Sequence, residues 1–158
     1  MLTSFISSAD KGGQARLSAD GDDIIIGDSS TTFDDASDDN IAIGVGALGS
    51  IYANSDSNIM IGKTAGGGSW TGAASNNNIG IGNLVMDAVM NAAGNNTAIG
   101  HASLTDLTSG SSNCVMGKGT GENVTTGSNN TLLGYQAGAT MSTCLLYTSD
   151  AADEEDSV

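Results

Sequence analysis

Short apolar runs, each led by asparagine and closed by glycine, recur down this chain. They read Asn40-Ile41-Ala42-Ile43-Gly44, Asn58-Ile59-Met60-Ile61-Gly62, Asn78-Ile79-Gly80-Ile81-Gly82 and Asn96-Thr97-Ala98-Ile99-Gly100. Looser copies follow at Asn113-Cys114-Val115-Met116-Gly117 and Asn130-Thr131-Leu132-Leu133-Gly134, and Asp23-Ile24-Ile25-Ile26-Gly27 is a degenerate first copy. The closing glycines step by 17, 18, 20, 18, 17 and 17 residues. One strand-sized run per unit at so short a period predicts an all-β chain, a parallel β-solenoid of about seven coils of 17–18 residues. The coils are expected over residues 23–143, with 1–22 as a lead-in or cap and 144–158 as a tail outside the pattern.

Alternation along an extended strand puts Ile41 and Ile43 on one face and Ala42 on the other. The first and third positions are mostly aliphatic in every copy, so they are expected to be the core. Ile43, Ile61, Ile81 and Ile99 should then form one buried column, with Cys114 also inward. The middle position holds Ala42, Met60, Gly80, Ala98, Val115 and Leu132. Small apolar residues there suggest a second covered face, with another chain as the cover. The repeat glycines permit a left-handed corner or a close backbone approach. Three residues on, Ala47, Ala65, Val85, Ser103, Thr120 and Ala137 suit an inner corner. Serine, asparagine and glycine fill the rest of each unit as turns. The recurring asparagine has two explanations. Stacked amides about 4.8 Å apart could donate one way and accept the other, as a ladder. Alternatively, each Asn could simply open a turn through its own backbone.

Composition narrows the function. The 158 residues suit one domain; proline is absent, and 14% of residues are charged. A net charge of −14 argues against nucleic acid as a partner, because phosphates need lysine and arginine. Acidic residues cluster before Asn40 and after Cys144, leaving the repeats nearly neutral. Two cysteines imply no disulfide framework. The first residues lack the charged and apolar regions of a secretory signal, and no segment is apolar enough to span a membrane.

Catalytic chemistry is thinly represented. His101 is the only histidine and sits in an outward slot shared with Val45, Lys63, Asn83, Lys118 and Tyr135, with no orienting partner encoded nearby. No zinc spacing occurs, and Gly66-Gly67-Gly68 lacks the Lys-Ser/Thr of a phosphate loop. Asp20-Gly21-Asp22-Asp23 reads as a solvated cap and not as a calcium loop. No catalytic residue, metal or cofactor is expected. Trp70, in the longest repeat, is a possible ligand contact: the extra residues should bulge outward, where an indole can stack on a sugar. The alternative is an indole folded back over a neighbouring coil.

Two strings carry a family resemblance: Gly94-Asn95-Asn96-Thr97-Ala98-Ile99-Gly100, and Gly127-Ser128-Asn129-Asn130 running on through Thr131-Leu132-Leu133-Gly134-Tyr135-Gln136-Ala137. They resemble the head repeats of trimeric autotransporter adhesins and, more closely, the repeats of bacteriophage tail-fibre proteins. The resemblance covers roughly Asp23 to Ala139. It implies a left-handed β-roll in which three chains pack side by side. It also implies a virion or bacterial cell-surface location and a structural, adhesive role toward a host glycan or receptor. The structural positions it points to are Asn40, Gly44, Asn58, Gly62, Asn78, Gly82, Asn96, Gly100, Asn113, Gly117, Asn130 and Gly134. A departure is repeat length, since adhesin heads have shorter units. The competing fold is a monomeric left-handed β-helix with three sheet sides, which would open an acyltransferase-type enzyme as the alternative function. Ice binding would need threonines on a flat outer array, whereas Thr97 and Thr131 occupy core-type positions. From Cys144 to Glu154 the pattern breaks, and the string resembles the in-frame translation of a transposase sequencing adapter. On that expectation Cys144–Val158 is not native sequence.

Overall fold

In a computed structural model, residues 14–17, 23–27 and 36–142 are described, and they form one β-solenoid without helix. The strands follow chain order in a single sheet: β1 (Gln14–Leu17), β2 (Ile24–Gly27), β3 (Ile41–Ile43), β4 (Ile59–Ile61), β5 (Ile79–Ile81), β6 (Thr97–Ile99), β7 (Cys114–Met116) and β8 (Thr131–Leu133). From β2 to β8 pairing is parallel and in strict register, so each repeat position lies over its counterpart: Ile41 on Ile59, then Ile79, then Thr97. The strands span about 6 turns. At ~4.8 Å per rung the stack is roughly 29 Å long. A three-sided prism would need two more sheets. Among the described residues the remainder of each coil is turn, apart from one parallel bridge between Ser50 and Ser69.

The pattern did not foretell β1. It runs antiparallel to β2, with Gln14 opposite Gly27 and Leu17 opposite Ile24. An open edge of unpaired N–H and C=O groups invites stray pairing, and β1 covers that edge at the start of the stack. The acidic Asp20-Gly21-Asp22 and the adapter-like 144–158 lie outside the described residues.

The sheet faces the opposite way from the expectation. The middle position points into the coil: Ala42, Met60, Ala98, Val115 and Leu132 are buried, as is Gly80. Ile43, Ile61 and Ile99 are only half-buried, and Ile81 is 38% exposed. Cys114 is likewise exposed. The cover over the middle position is not another chain but the coil's own turn. Ala47, Leu48, Ala65, Val85, Met86, Leu104 and Val124 all point inward and bury completely. The small corner residues are therefore placed as expected, and the strand face is reversed. The reason is width. One strand facing one turn encloses a thin interior that takes a single strand side chain per coil, so one residue points in and its two neighbours point out.

Within that interior, strand and turn exchange volume. The middle residue and the fourth residue after the glycine pair as Ala42 with Leu48, Met60 with Gly66, Gly80 with Met86, Ala98 with Leu104, Val115 with Gly121, and Leu132 with Gly138. Where the strand supplies the larger group, the turn has glycine. A Cβ on Gly66 would lie 3.0 Å from Met60 Cγ, and one on Gly138 would lie 2.9 Å from Leu132 Cδ1. A Cβ on Gly80 would lie 2.5 Å from Met60 Sδ of the preceding coil, so the fit extends between rungs. Interiors pack to near-crystalline density, so excess and deficit are both felt.

Two backbone devices clamp the coils together. The repeat glycines from Gly44 to Gly117 hold φ between 137° and 149°. A Cβ on Gly62 would stand 2.1 Å from the carbonyl oxygen of Gly82, and Gly44, Gly82, Gly100 and Gly117 meet the next glycine's oxygen at 2.2–2.3 Å. No other residue fits. The asparagines form the ladder. Asn58 donates both its backbone N–H and its Nδ2 to Asn40 Oδ1, at 3.0 and 3.1 Å, and the same pair of bonds repeats at Asn78, Asn96, Asn113 and Asn130. The second Nδ2 hydrogen is used too, for example Asn78 to Ala93 O at 3.0 Å. Asp23 heads the series by accepting the Asn40 N–H at 2.7 Å. The first member of such a ladder needs only an acceptor, so a carboxylate serves there.

Two outcomes follow. Leu104→Ala should cost about 2–5 kcal/mol through the cavity it leaves, and Ala98→Leu about 1–3 kcal/mol through overpacking. In the double variant the cost should fall short of the sum by more than ~1 kcal/mol, since the two sites share one space; urea denaturation of the four proteins measures it. Asn78→Asp should lower stability at neutral pH by more than ~2 kcal/mol, because it buries charge and removes the donors to Asn58 and Ala93. That deficit should shrink on acidification, as a protonated carboxyl is uncharged and donates again. Unfolding midpoints at neutral and acid pH check the sign.

Candidate interaction surface

Since the middle position points inward, the first and third positions form the outer face of the sheet. They stack into two columns, Ile24, Ile41, Ile59, Ile79, Thr97, Cys114, Thr131 and Ile26, Ile43, Ile61, Ile81, Ile99, Met116, Leu133. Nine of these fourteen positions are isoleucine and none is charged. Exposure rises toward the ends, to 43% at Ile26, 49% at Met116 and 73% at Leu133. The strip is about 29 Å long and ~10 Å wide, a few hundred Å2 of mainly apolar surface interrupted by Thr97 and Thr131, the scale at which a surface patch marks an interaction site. It is the feature that alternation alone misplaced.

Thr97 and Thr131 thus stand on a flat outer array after all, contrary to the expectation. Their column mates are mainly isoleucine, so the array is aliphatic and not hydroxylated. Alongside it runs the exposed slot after each glycine: Val45, Lys63, Asn83, His101, Lys118 and Tyr135. Lys63 and Lys118 are the two lysines with described side chains, and both lie in this one column. Asp87, Asp106 and Glu122 sit four or five residues further on, across the turn. Burial raises the Asp87 carboxyl above its ordinary range, against a smaller opposing hydrogen bond from the Gly67 backbone. Its proton is held more tightly in the folded chain. That contribution is present below the ordinary carboxylate range and is lost as pH rises through the raised value.

Of the two readings of Trp70, the structure has the indole folded back into the coils. It is 3% exposed and belongs to the apolar core, so it offers no face to a ligand. The expected outward bulge is absent at Gly66–Gly68: a Cβ on Gly68 would lie 2.1 Å from Ala88 O of the next coil. Thr71 and Gly72, beyond the indole, are the exposed part. Trp70 Nε1 is buried without a hydrogen-bond partner, a cost tolerated for the large apolar area the ring covers. The structural asparagines and glycines meet in the clamps described above. His101 is exposed in its column. Among the described residues no His, Cys, Asp and Glu cluster could hold a metal, and no helix is long and apolar enough to cross a membrane.

No protein-family profile, curated protein or solved structure matches this chain. Function must therefore be argued from the surface itself.

The position of Trp70, the single tryptophan, is directly measurable. Its fluorescence should lie at the blue, buried-indole end, and acrylamide should quench it weakly until the chain unfolds. Emission like that of free indole in the folded protein would contradict the packing.

Proposed function

We propose that this chain is a structural and adhesive fibre segment, of the phage tail-fibre or bacterial surface-adhesin kind, and that it works as a homotrimer joined through the aliphatic sheet face. The observation that carries this reading is the uncharged, mainly isoleucine strip on the outer face of the sheet. Water contact along such a strip is unfavourable by roughly 25 cal/mol per Å2 of apolar area. A copy of the same strip in the same axial register is a natural cover, since both repeat every ~4.8 Å. Three chains about an axis along the stack close the arrangement without leaving an open edge. The flanking column carries Lys63 and Lys118, and charges at such a rim favour register over affinity.

The mechanism is mechanical. Stacked coils hold an attachment region away from the particle or cell that bears them, and a host glycan or other surface receptor is the partner class. The repeated rungs resist bending because every coil bonds to both neighbours. This accords with the likeness of the repeats to tail-fibre and adhesin-head sequences.

The same strip supplies the residues that test assembly. Ala98 lies inside the coil, so Ala98→Arg would break the fold and report nothing about assembly. Ile61→Asp with Ile99→Asp charges the outer face and leaves the interior untouched. Sedimentation at micromolar concentration should find the parent chain trimeric and the double variant monomeric, with matching far-UV circular dichroism. A parent chain that sediments as a folded monomer would overturn the proposal.

A further inference from the structure

The two long edges of the aliphatic strip carry different charge. The chain enters each strand through the residues just before the ladder asparagine, and leaves it through the slot after the repeat glycine. These positions stack into a leading rim and a trailing rim. The trailing rim holds Lys63 and Lys118, with His101 between them. Among the described residues, acid stands on the leading rim alone, as Asp38 and Asp39 beside β3 and Asp56 beside β4. The coils above have asparagine, serine or glycine there. Lys63 and Asp56 flank the same strand, so they share one height on opposite sides of the strip. Lys63 and Asp39 are exposed and Asp56 is half-buried. Asp56 is held in place: its backbone N–H donates to Asn76 Oδ1 at 2.7 Å, and its Oδ1 accepts the Asp38 N–H at 3.0 Å.

We propose, on the basis of the trimer assembly above, that Lys63 of one copy pairs with Asp39 and Asp56 of the next, and that this contact makes the copies run parallel. An axis along the stack brings the trailing rim of each copy against the leading rim of its neighbour at equal height. Lys63 then meets Asp56 on its own level and Asp39 one rung, ~4.8 Å, below. Reversing one copy brings like rims together. At full overlap of the strips, β4 lies opposite β6 and β3 opposite β7. Lys63 would face His101, with Lys118 one rung away, while Asp39 and Asp56 would face Ser112 and Gly94. The isoleucines are covered in either arrangement, so the aliphatic strip alone does not choose between them. Charge does: the parallel arrangement gains opposite pairs and the reversed one sets basic groups together. Juxtaposed like charges suppress wrong partners more than opposite ones add affinity.

The acids can be neutralised with the fold kept. The next coil has Asn76 in the place of Asp56 and Asn77 in that of Asp39, the latter with φ of 58° against 61°. Asparagine at 56 also keeps an oxygen for the Asp38 N–H. Four full-length chains are compared by sedimentation at low salt: the parent, Lys63→Glu, Asp39→Asn with Asp56→Asn, and all three changes together. Far-UV circular dichroism should match throughout. In the parent background Lys63→Glu should raise the concentration at which the trimer half-dissociates by about tenfold or more, because the change recurs at every interface. In the asparagine background the same change should cost less than about threefold. Lys118→Glu, which meets only Ser111 and Ser112 across the rim, should cost less than Lys63→Glu. Equal costs of Lys63→Glu in both backgrounds, no cost in either, or a larger cost for Lys118→Glu would overturn the proposal and leave the trimer standing. A monomeric parent would overturn both.

Discussion

The fold depends on the contact between one coil's backbone and the next. Glycine lies on glycine, and each asparagine side chain carries the backbone N–H of the following rung. These bonds run along the stack, so they set a common rise for every coil. A common rise with strict register leaves each coil the same enclosed space. The interior is thereby one continuous core built from equal steps, each coil adding one strand residue and one turn partner. Amide ladders stabilise cross-β stacks for the same reason, but there the side chains come from separate molecules, whereas here the turns deliver each one to its place.

That constraint explains which parts of the fold were legible in the sequence. The strands begin where the pattern put them, directly after each asparagine, because backbone stacking tolerates no other residue at the clamp positions. The ladder was foreseen as one of two explanations, and the bond distances decide it. The facing of the strand was not legible by alternation, since both faces are apolar. Ile41 and Ile43 are larger and more hydrophobic than Ala42, so a single-position comparison puts them inside. The deciding signal lay in two positions taken together. Glycine at 66, 121 and 138 accompanies Met60, Val115 and Leu132, whereas Leu48, Met86 and Leu104 accompany Ala42, Gly80 and Ala98. Only a shared interior explains that reciprocity.

The surface follows from the same reversal. The middle position shares its space with the turn, whereas the first and third positions face outward without that limit, and nine of their fourteen residues are isoleucine. At Trp70 it was the outward bulge that failed, while the folded-back indole holds. The longest repeat suggested a protrusion, but its glycines stack tightly on the next coil and the indole enters the core. Neither error touches the fold class, because period and clamp residues carry that, and neither depends on which face is wet.

The volume exchange also bears on how such a chain can change by recombination. A coil cut at its asparagine carries its strand residue and its turn partner together, so whole coils can be added or lost wherever a large residue such as Met60 still meets a small one such as Gly80 on the next rung. A crossover between strand and turn would join Met60 to Met86 in one product and Gly80 to Gly66 in the other, one overfilled and one nearly empty. The heritable module of this architecture is therefore the complete coil, and variation in fibre length should be easier to reach than variation within a rung.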